Sequence, residues 1–408
     1  MSGILIVGAG QAGFQAAASL REAGLTGPLT LVGEEAQPPY QRPPLSKAYL
    51  AGKTDARGLL LRQETFFTEH AITHRRARAT GIDRAENRVR LEDGDALAYD
   101  HLILATGTRN RALPVPGADL VGVHGLRSLD EADALKSALE HAKNIVVVGA
   151  GFIGLEFAAV CAARGLSVTV IEAAPRVMAR AVSAETSQAF RDFHEAAGVT
   201  IFFGVGVSAI EGADGHVTSV ALANGKNLPA DLVLVGIGVV PNQELAAEAG
   251  LTVQDGIAVD AFLATSDPAI SAIGDCARFP TRFAAGLPGG DRVRIESVQN
   301  AVDQGRCLAA RLTGRPAAYD AVPWFWSDQG PRKLQIAGLG SPEDSSVLRR
   351  AGAGFSVFRF RQGRLAAVES VDRPADHMAA RRIIAAGRSL TPEQAADPAF
   401  DLKALATA

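Results

Sequence analysis

Ile4-Leu5-Ile6-Val7-Gly8-Ala9-Gly10-Gln11-Ala12-Gly13 lies close to the start of the chain, and Ile145-Val146-Val147-Val148-Gly149-Ala150-Gly151-Phe152-Ile153-Gly154 echoes it further on. In each copy a β-branched run meets G-x-G-x-x-G at once. Small residues recur at matching places beyond it, Ala17 and Gly24 in one copy and Ala158 and Gly165 in the other. This is the strand, tight turn and helix of a dinucleotide fold. The first glycine makes the turn, the second lets the backbone touch a pyrophosphate, and the third lets helix pack on strand. Helix N–H groups left unpaired at that end then face the phosphates. Each copy next reaches an acidic residue after a second strand, residues 29–32 then Glu34, and residues 168–171 then Glu172. A carboxylate there can bind both hydroxyls of an adenosine ribose. One glycine-rich turn is weak evidence, but two copies sharing all these features predict two dinucleotide-binding units.

With 408 residues, the chain has length for two or three domains and ample core. Its 47% hydrophobic and 21% charged residues describe an ordinary globular protein. A net charge of −3 gives no general affinity for nucleic acid or an anionic membrane. No apolar run approaches the roughly 18 residues of a membrane span. A first strand at Ile4 leaves no room for a cleavable leader, so none is expected. Cys161, Cys276 and Cys307 are widely spaced and form no C-x-x-C pair, which suits a reducing cytoplasm.

Between the two nucleotide motifs, Pro38, Pro39, Pro43 and Pro44 place four prolines in seven residues and predict a rigid connector. A helix is expected over 46–50. Lys47 is thereby delivered on a stiffened turn, although a solvated surface lysine fits the spacing equally well. Strands are expected at 88–91, before the Asp93-Gly94 turn, and at 99–104, ending in Ala105-Thr106-Gly107. A helix over 129–142 leads into the second unit, which continues with an amphipathic helix over 183–197 and strands at 217–222 and 231–235. After Gly236-Ile237-Gly238 the chain should return to the first unit, because residues 267–275 form another strand ending in a Gly-Asp turn. A long helix is expected over 295–312. Composition shifts near Pro323, and Trp324-Phe325-Trp326 contains both tryptophans. Strands at 334–336, 355–361 and 365–371 and a helix over 376–386 then describe a small α+β domain. The last residues carry little signal and are expected to fray.

Several of these segments together resemble a known family: residues 8–13, Glu34, Pro43-Pro44-Leu45-Ser46-Lys47, Ala105-Thr106-Gly107, residues 149–154 with Glu156, and Gly274-Asp275-Cys276-Ala277. They are similar to the NADH-dependent, FAD-containing ferredoxin reductases that serve cytochrome P450 and ring-hydroxylating oxygenases, of the putidaredoxin reductase type. The similarity runs through nearly the whole chain, including Arg294-Ile295-Glu296-Ser297 and Trp324-Phe325-Trp326-Ser327-Asp328-Gln329. It implies an α/β fold with two Rossmann-like, glutathione-reductase-like domains and a small C-terminal α+β domain. FAD would take residues 1–110 and 240–321, NADH would take 111–239, and the C-terminal domain would span 322–408.

The resemblance also implies roles. Gly8, Gly10, Ala12 and Gly13 would meet the FAD pyrophosphate, Glu34 its ribose, and Ala79 the adenine side. Arg127 would approach the phosphates or ribitol, Asp275 after Gly274 would hold the ribitol, and Val298 would contact the pyrimidine edge. Arg42, Pro44, Lys47, Ala105, Thr106, Gly107 and Trp326 complete the flavin set; Trp324 or Trp326 would line the flavin edge, the resemblance favouring Trp326, while two buried aromatics pinning the third domain fit nearly as well. Gly149, Gly151, Ile153, Gly154, Glu172, Arg180 and Gly238 would hold NADH. An ion pair of Lys47 with Glu156 beside flavin N5 is implied, whereas a helix-start carboxylate favoured by the dipole is the plain alternative for Glu156. Glu172, followed by Ala173-Ala174 with no adjacent cation, would repel a 2′-phosphate and so favours NADH over NADPH. Arg176 and Arg180 come later and would flank the adenine or pyrophosphate. No metal site is expected.

Three rival readings stand beside this one, the first of which shares the double nucleotide architecture. A flavin disulfide reductase or thiol peroxidase needs a redox cysteine near the flavin, and residues 35–99 contain none. A flavoprotein of apoptosis-inducing-factor type would serve interaction or signalling, and the net charge gives no basic nucleic-acid surface for it. A membrane quinone reductase would want a basic amphipathic terminal helix, which is absent from the pattern. The expected partner is a [2Fe-2S] ferredoxin docking through Arg62, Arg306, Arg311, Arg332 and Lys333, the last two after a Gly330-Pro331 turn outside the family pattern. A monomer or weak dimer is expected.

Overall fold

The computed structural model describes residues 3–407. The chain forms two compact units, each assembled from separated stretches. The first takes the chain as far as Gln41, then Leu60–Arg109 and Val240–Phe325. Its centre is a parallel sheet in the order Ile270–Ala272, His101–Leu104, Ile4–Val7, Leu29–Gly33, Thr73–Arg76. Parallel strands are covered on both faces, which is why these segments are runs of apolar residues rather than alternations. Ile6, Leu31, Leu102 and Ile103 are all fully buried. Ile270 lies opposite Leu102, so the chain does return to the first sheet after the second nucleotide motif, as the Gly-Asp strand suggested.

Helix Gln11–Glu22 follows the first turn and packs on helix Val298–Leu312. Gly305 sets their approach: a Cβ there would stand 3.0 Å from the backbone nitrogen of Ala16. An antiparallel sheet of Ala79–Asp83, Arg88–Leu91 and Ala96–Ala98 completes the region after Thr73–Arg76, turning at Gly94.

The second unit takes Arg42–Leu59, Asn110–Val239 and the chain from Trp326 on. Its parallel sheet repeats the first, in the order Thr200–Phe203, Ser167–Glu172, Asn144–Val148, Leu232–Val235, Val123–His124. The last 80-odd residues add an antiparallel sheet in the order Trp324–Gln329, Arg332–Gly338, Arg364–Val371, Gly354–Arg361, Ser345–Ala351, covered by helix Pro374–Ala385. One buried carboxylate joins this sheet to the nucleotide half of the unit. Glu369 pairs with Arg359 at 2.7 Å and accepts hydrogen bonds from the backbone N–H and hydroxyl of Ser183, the N-cap of helix Ala184–Ala196. A buried ion pair is worth little net energy, but losing one partner strands a charge, so the pair fixes register more than it adds stability.

Four expectations need correction. The helix expected from 295 begins at Val298, because Ser297 caps it by accepting the N–H of Asn300. The helix expected over 46–50 is a π-type turn, Leu45–Tyr49, in which the Tyr49 N–H reaches back to Pro44. Strand Ser345–Ala351 was not foreseen; it is a sheet edge whose Ser-Ser-Val-Leu-Arg-Arg sequence has no clean alternation. The tail does not fray: a Thr391/Gln394 capping box starts helix Pro392–Ala396, and Arg349 donates to the carbonyls of Asp397, Pro398 and Phe400.

The third glycine of each motif bears directly on stability. A Cβ at Gly13 would lie 1.9 Å from the carbonyl oxygen of Gly8, and one at Gly154 would lie 2.2 Å from that of Gly149. Backbone on backbone cannot yield as a side chain would. Gly13→Ala and Gly154→Ala are each expected to cost at least about 3 kcal/mol, the upper range of overpacking. A circular-dichroism melt should show a fall of several degrees, and an unchanged melt for either would refute the packing role.

Candidate active site

The glycines of the two turns divide by what constrains them. Gly8 and Gly149 have φ of +113° and +104°, and a Cβ on either would run into a carbonyl, that of Ala105 at 2.1 Å and that of Gly236 at 2.5 Å. With Gly13 and Gly154 they are demanded by the fold itself. The middle glycines are not. Gly10 and Gly151 are extended, with φ of −80° and −78°, which any residue adopts. A Cβ at Gly10 would meet nothing within 4 Å, and one at Gly151 only the Gly236 carbonyl at 3.9 Å. Open space at such a turn is where a ligand's backbone-hugging phosphate fits. Both helices also start without a side-chain cap or a first-turn acid. Helices after Ser128, Ser183 and Ser297 are capped by those serines. The two uncapped ends leave N–H groups and the positive end of the dipole for an anion, which fits a dinucleotide pyrophosphate at each.

The acidic residues differ between copies. Glu172 is held: its carboxylate accepts the N–H of Ala150, inside the glycine turn, at 2.7 Å and that of Ala174 at 2.8 Å. Glu34 is 66% exposed, with Arg78 Nε at 3.8 Å. Arg78 directly precedes Ala79, and no sequence signal marked it. Arg180 is exposed, has no partner among the described residues, and its guanidinium lies 3.5 Å from a Cβ placed on Gly238. Ile153 stands exposed on the first turn of its helix. Arg176 corrects the expectation: it donates to the carbonyls of Ala179, Val182 and Ser183 and so holds its own loop.

In the first unit the Ala105-Thr106-Gly107 turn is braced by Asn242. The Thr106 hydroxyl donates to the Asn242 carbonyl at 2.6 Å, the Asn242 amide donates to the Thr106 carbonyl at 2.9 Å, and the Asn242 N–H reaches Gly107. Asn242 was missed, although it follows a Pro just past Gly238. Gly274 has φ of +76°, and a Cβ on it would come within 2.8 Å of Ala12, so the Gly-Asp turn abuts the first glycine turn. Gln304 accepts the Gly274 N–H at 2.7 Å. Asp275 follows, half-buried, and Val298 opens the capped helix.

Lys47 and Glu156 do form an ion pair, at 2.9 Å, with Glu156 only 2% exposed and Lys47 18%. The turn Leu45–Tyr49 presents both Lys47 and Ser46 to the carboxylate, whose second oxygen accepts the Ser327 hydroxyl at 2.6 Å. Burial pushes the Glu156 carboxyl up from its ordinary value, and Lys47, then Ser327 and Ser46, oppose that shift. Close by in the chain, Arg42 donates to the Arg127 carbonyl at 2.8 Å, which brings two further expected residues together. The Pro44 carbonyl accepts the N–H groups of Lys47 and Tyr49, and Trp326 is half-buried one residue before Ser327.

Thiol chemistry has no foothold. Burial pushes the Cys161 thiol up to about 12 and raises those of Cys276 and Cys307, away from the thiolate form. No cluster of metal-ligating side chains occurs among the described residues, nor any helix long and apolar enough to cross a membrane. Of the expected docking cations, Arg62, Arg306 and Lys333 are exposed. Arg311 is instead tied to the Phe262 carbonyl and the Ser271 hydroxyl, and Arg332 to Asp372 at 2.9 Å.

The chain matches the family model described as pyridine nucleotide-disulphide oxidoreductase over residues 2–305, and the reductase C-terminal model over 324–406. It is 54% identical over 403 residues to rhodocoxin reductase of Rhodococcus erythropolis, spanning 98% of this chain and 93% of that one. Its structure superposes on the ferredoxin reductase for the CYP199A2 system from Rhodopseudomonas palustris with a TM-score of 0.96 at 51% identity, covering both chains entirely. The reductase in the covalent putidaredoxin reductase–putidaredoxin complex gives 0.95 at 39% identity, over 99% of this chain and 98% of that one. With its paired glycine turns and C-terminal domain, the chain belongs to the ferredoxin reductases of the pyridine nucleotide-disulphide oxidoreductase family.

Proposed function

We propose that this protein is an FAD-dependent reductase that takes hydride from NADH and passes electrons singly to a [2Fe-2S] ferredoxin feeding a cytochrome P450 or ring-hydroxylating oxygenase. The observation that carries it is the pair of uncapped helix starts whose middle glycines nothing in the fold requires. FAD bound at the first turn supplies the two-electron-to-one-electron conversion. This chain's residues bind and orient. Gly8, Gly10, Ala12, Gly13 and Glu34 hold FAD from 1–110, joined by Asp275 and Val298 from 240–321. Gly149, Gly151, Ile153, Gly154, Glu172, Arg180 and Gly238 hold NADH from 111–239. Lys47 and Glu156 would serve the hydride transfer, and Trp326 would contact the flavin. Arg62, Arg306 and Lys333 remain the cations available for an acidic partner, where they would raise encounter rate more than affinity.

The decisive test is NADH-driven cytochrome c reduction, slow alone and strongly stimulated by an added [2Fe-2S] ferredoxin. Stimulation by a thiol–disulfide substrate and not by ferredoxin would overturn the reading. Gly10→Ala should leave the melting of the flavin-free protein unchanged while weakening FAD binding at least tenfold, about 1.4 kcal/mol, because the added methyl occupies ligand space. Equal FAD affinity in a fluorescence titration would contradict the assignment. For NADH, Glu172→Ala removes a ribose acceptor and a charge that repels 2′-phosphate. Its KM for NADH should rise by a factor corresponding to about 1–3 kcal/mol, and the gap to NADPH should narrow.

Lys47→Met leaves Glu156 buried without its cation. The carboxyl should then move further above its unfolded value, so the ionised form is the destabilised one. The variant should lose about 3 kcal/mol at high pH, near the lower end for breaking a buried pair, and recover as pH falls and Glu156 takes up a proton. Denaturant melts across pH check this, and a loss independent of pH would show that Glu156 carries no charge there.

A further inference from the structure

Glu156 is the end of a longer line of buried polar groups. Ser327 donates its hydroxyl proton to Glu156 Oε1 at 2.6 Å. The Ser327 oxygen accepts from Gln329 Nε2 at 3.3 Å, and that same nitrogen lies 3.5 Å from Met178 Sδ. Gln329 Oε1 faces His194 Nε2 at 2.8 Å. Ser327, Gln329 and His194 are fully buried. The partners fix the direction of every bond. The Gln329 amide nitrogen has acceptors on its side, a hydroxyl oxygen and a thioether, so its oxygen must be what meets the imidazole. A carbonyl oxygen only accepts, so His194 carries its proton on Nε2. Its Nδ1 is buried without a hydrogen-bond partner, and burial lowers its pKa, which favours the neutral ring. The line therefore donates one way, from His194 through Gln329 and Ser327 to the carboxylate. Four separated segments contribute: the turn Leu45–Tyr49, helix Phe152–Ala163, helix Ala184–Ala196 and the strand Trp324–Gln329.

We propose that Ser327, Gln329 and His194 are positioning residues, a one-way chain of donors that holds Glu156 ionised and thereby keeps Lys47 in place for hydride transfer. The inference rests on the reading of Lys47 and Glu156 given above. A packing role would be served as well by apolar residues of the same shape, and a fully buried Ser-Gln-His line costs desolvation that such residues would avoid. What it supplies is a terminal O–H donor, polarised from behind, for a carboxylate that burial would otherwise neutralise. Lys47 is the charged group facing Glu156, Ser46 and Ser327 are its neutral donors, and His194 is the titratable group at the far end.

The test uses holoenzyme labelled with 13C at glutamate side-chain carboxyls, the Glu156→Gln spectrum assigning the Glu156 signal. In Ser327→Ala the Glu156 titration midpoint should rise by about one pH unit, a tenfold change in its protonation equilibrium. Gln329→Met, close in shape and the second variant should the first fold poorly, should raise it by less. The acid limb of flavin reduction by NADH, followed by stopped flow, should move with the midpoint in both variants. 15N spectra should show His194 protonated at Nε2. A midpoint unmoved in both variants, or a proton on Nδ1, would overturn the proposal. Flavin reduction at the wild-type rate in Glu156→Gln would instead defeat the role given to Glu156 while the titration still judged the chain of donors on its own.

Discussion

No methyl group fits between the third glycine and the first in either nucleotide turn. That contact, Gly13 on Gly8 and Gly154 on Gly149, presses the start of each helix against the end of its parent strand. Everything at the sites follows from it. It aims the uncapped N–H groups outward, sets the middle glycine beside open space, and places the acid of the next strand near the turn. In the second copy that acid is tied to the turn itself through the Ala150 N–H. The same geometry thus serves fold and ligand at once, with different glycines answering to each.

The second organising element is a charge kept where water cannot reach. Glu156 lies on the second nucleotide helix past its first turn, and burial works against its ionised form. Lys47 reaches it from a turn that prolines stiffen, and Ser327 from the C-terminal sheet. A buried carboxylate served from three directions links the connector, the nucleotide helix and the C-terminal domain more specifically than apolar packing could. Glu369, which ties Ser183 to Arg359, repeats that logic elsewhere in the same unit.

The glycine turns, both parallel sheets and the return of the chain at Ile270–Ala272 were legible because each depends on local pattern: β-branched runs, glycine spacing and a carboxylate at a fixed place. The Lys47–Glu156 pair was legible only through family resemblance, since no spacing rule joins residues so far apart. Asn242, Arg78 and the line from Glu156 to His194 were hidden for the same reason. Each is a polar residue whose role comes from tertiary neighbours rather than from its own segment. Arg176, Arg311 and Arg332 misled because charge alone does not say whether a guanidinium faces solvent or a nearby carbonyl or carboxylate. The edge strand Ser345–Ala351 and the fastened tail escaped because edges and caps lack hydrophobic periodicity.

Two turns of one design in a single chain imply two dinucleotides bound independently. Isothermal titration of the flavin-free protein tests this most directly, with FAD added first and the unreactive oxidised form, NAD+, added to the FAD-saturated protein. One site for each, with FAD leaving the second site fully open to NAD+, is the expected result. A single dinucleotide per chain, or NAD+ binding only where FAD is absent, would contradict the account.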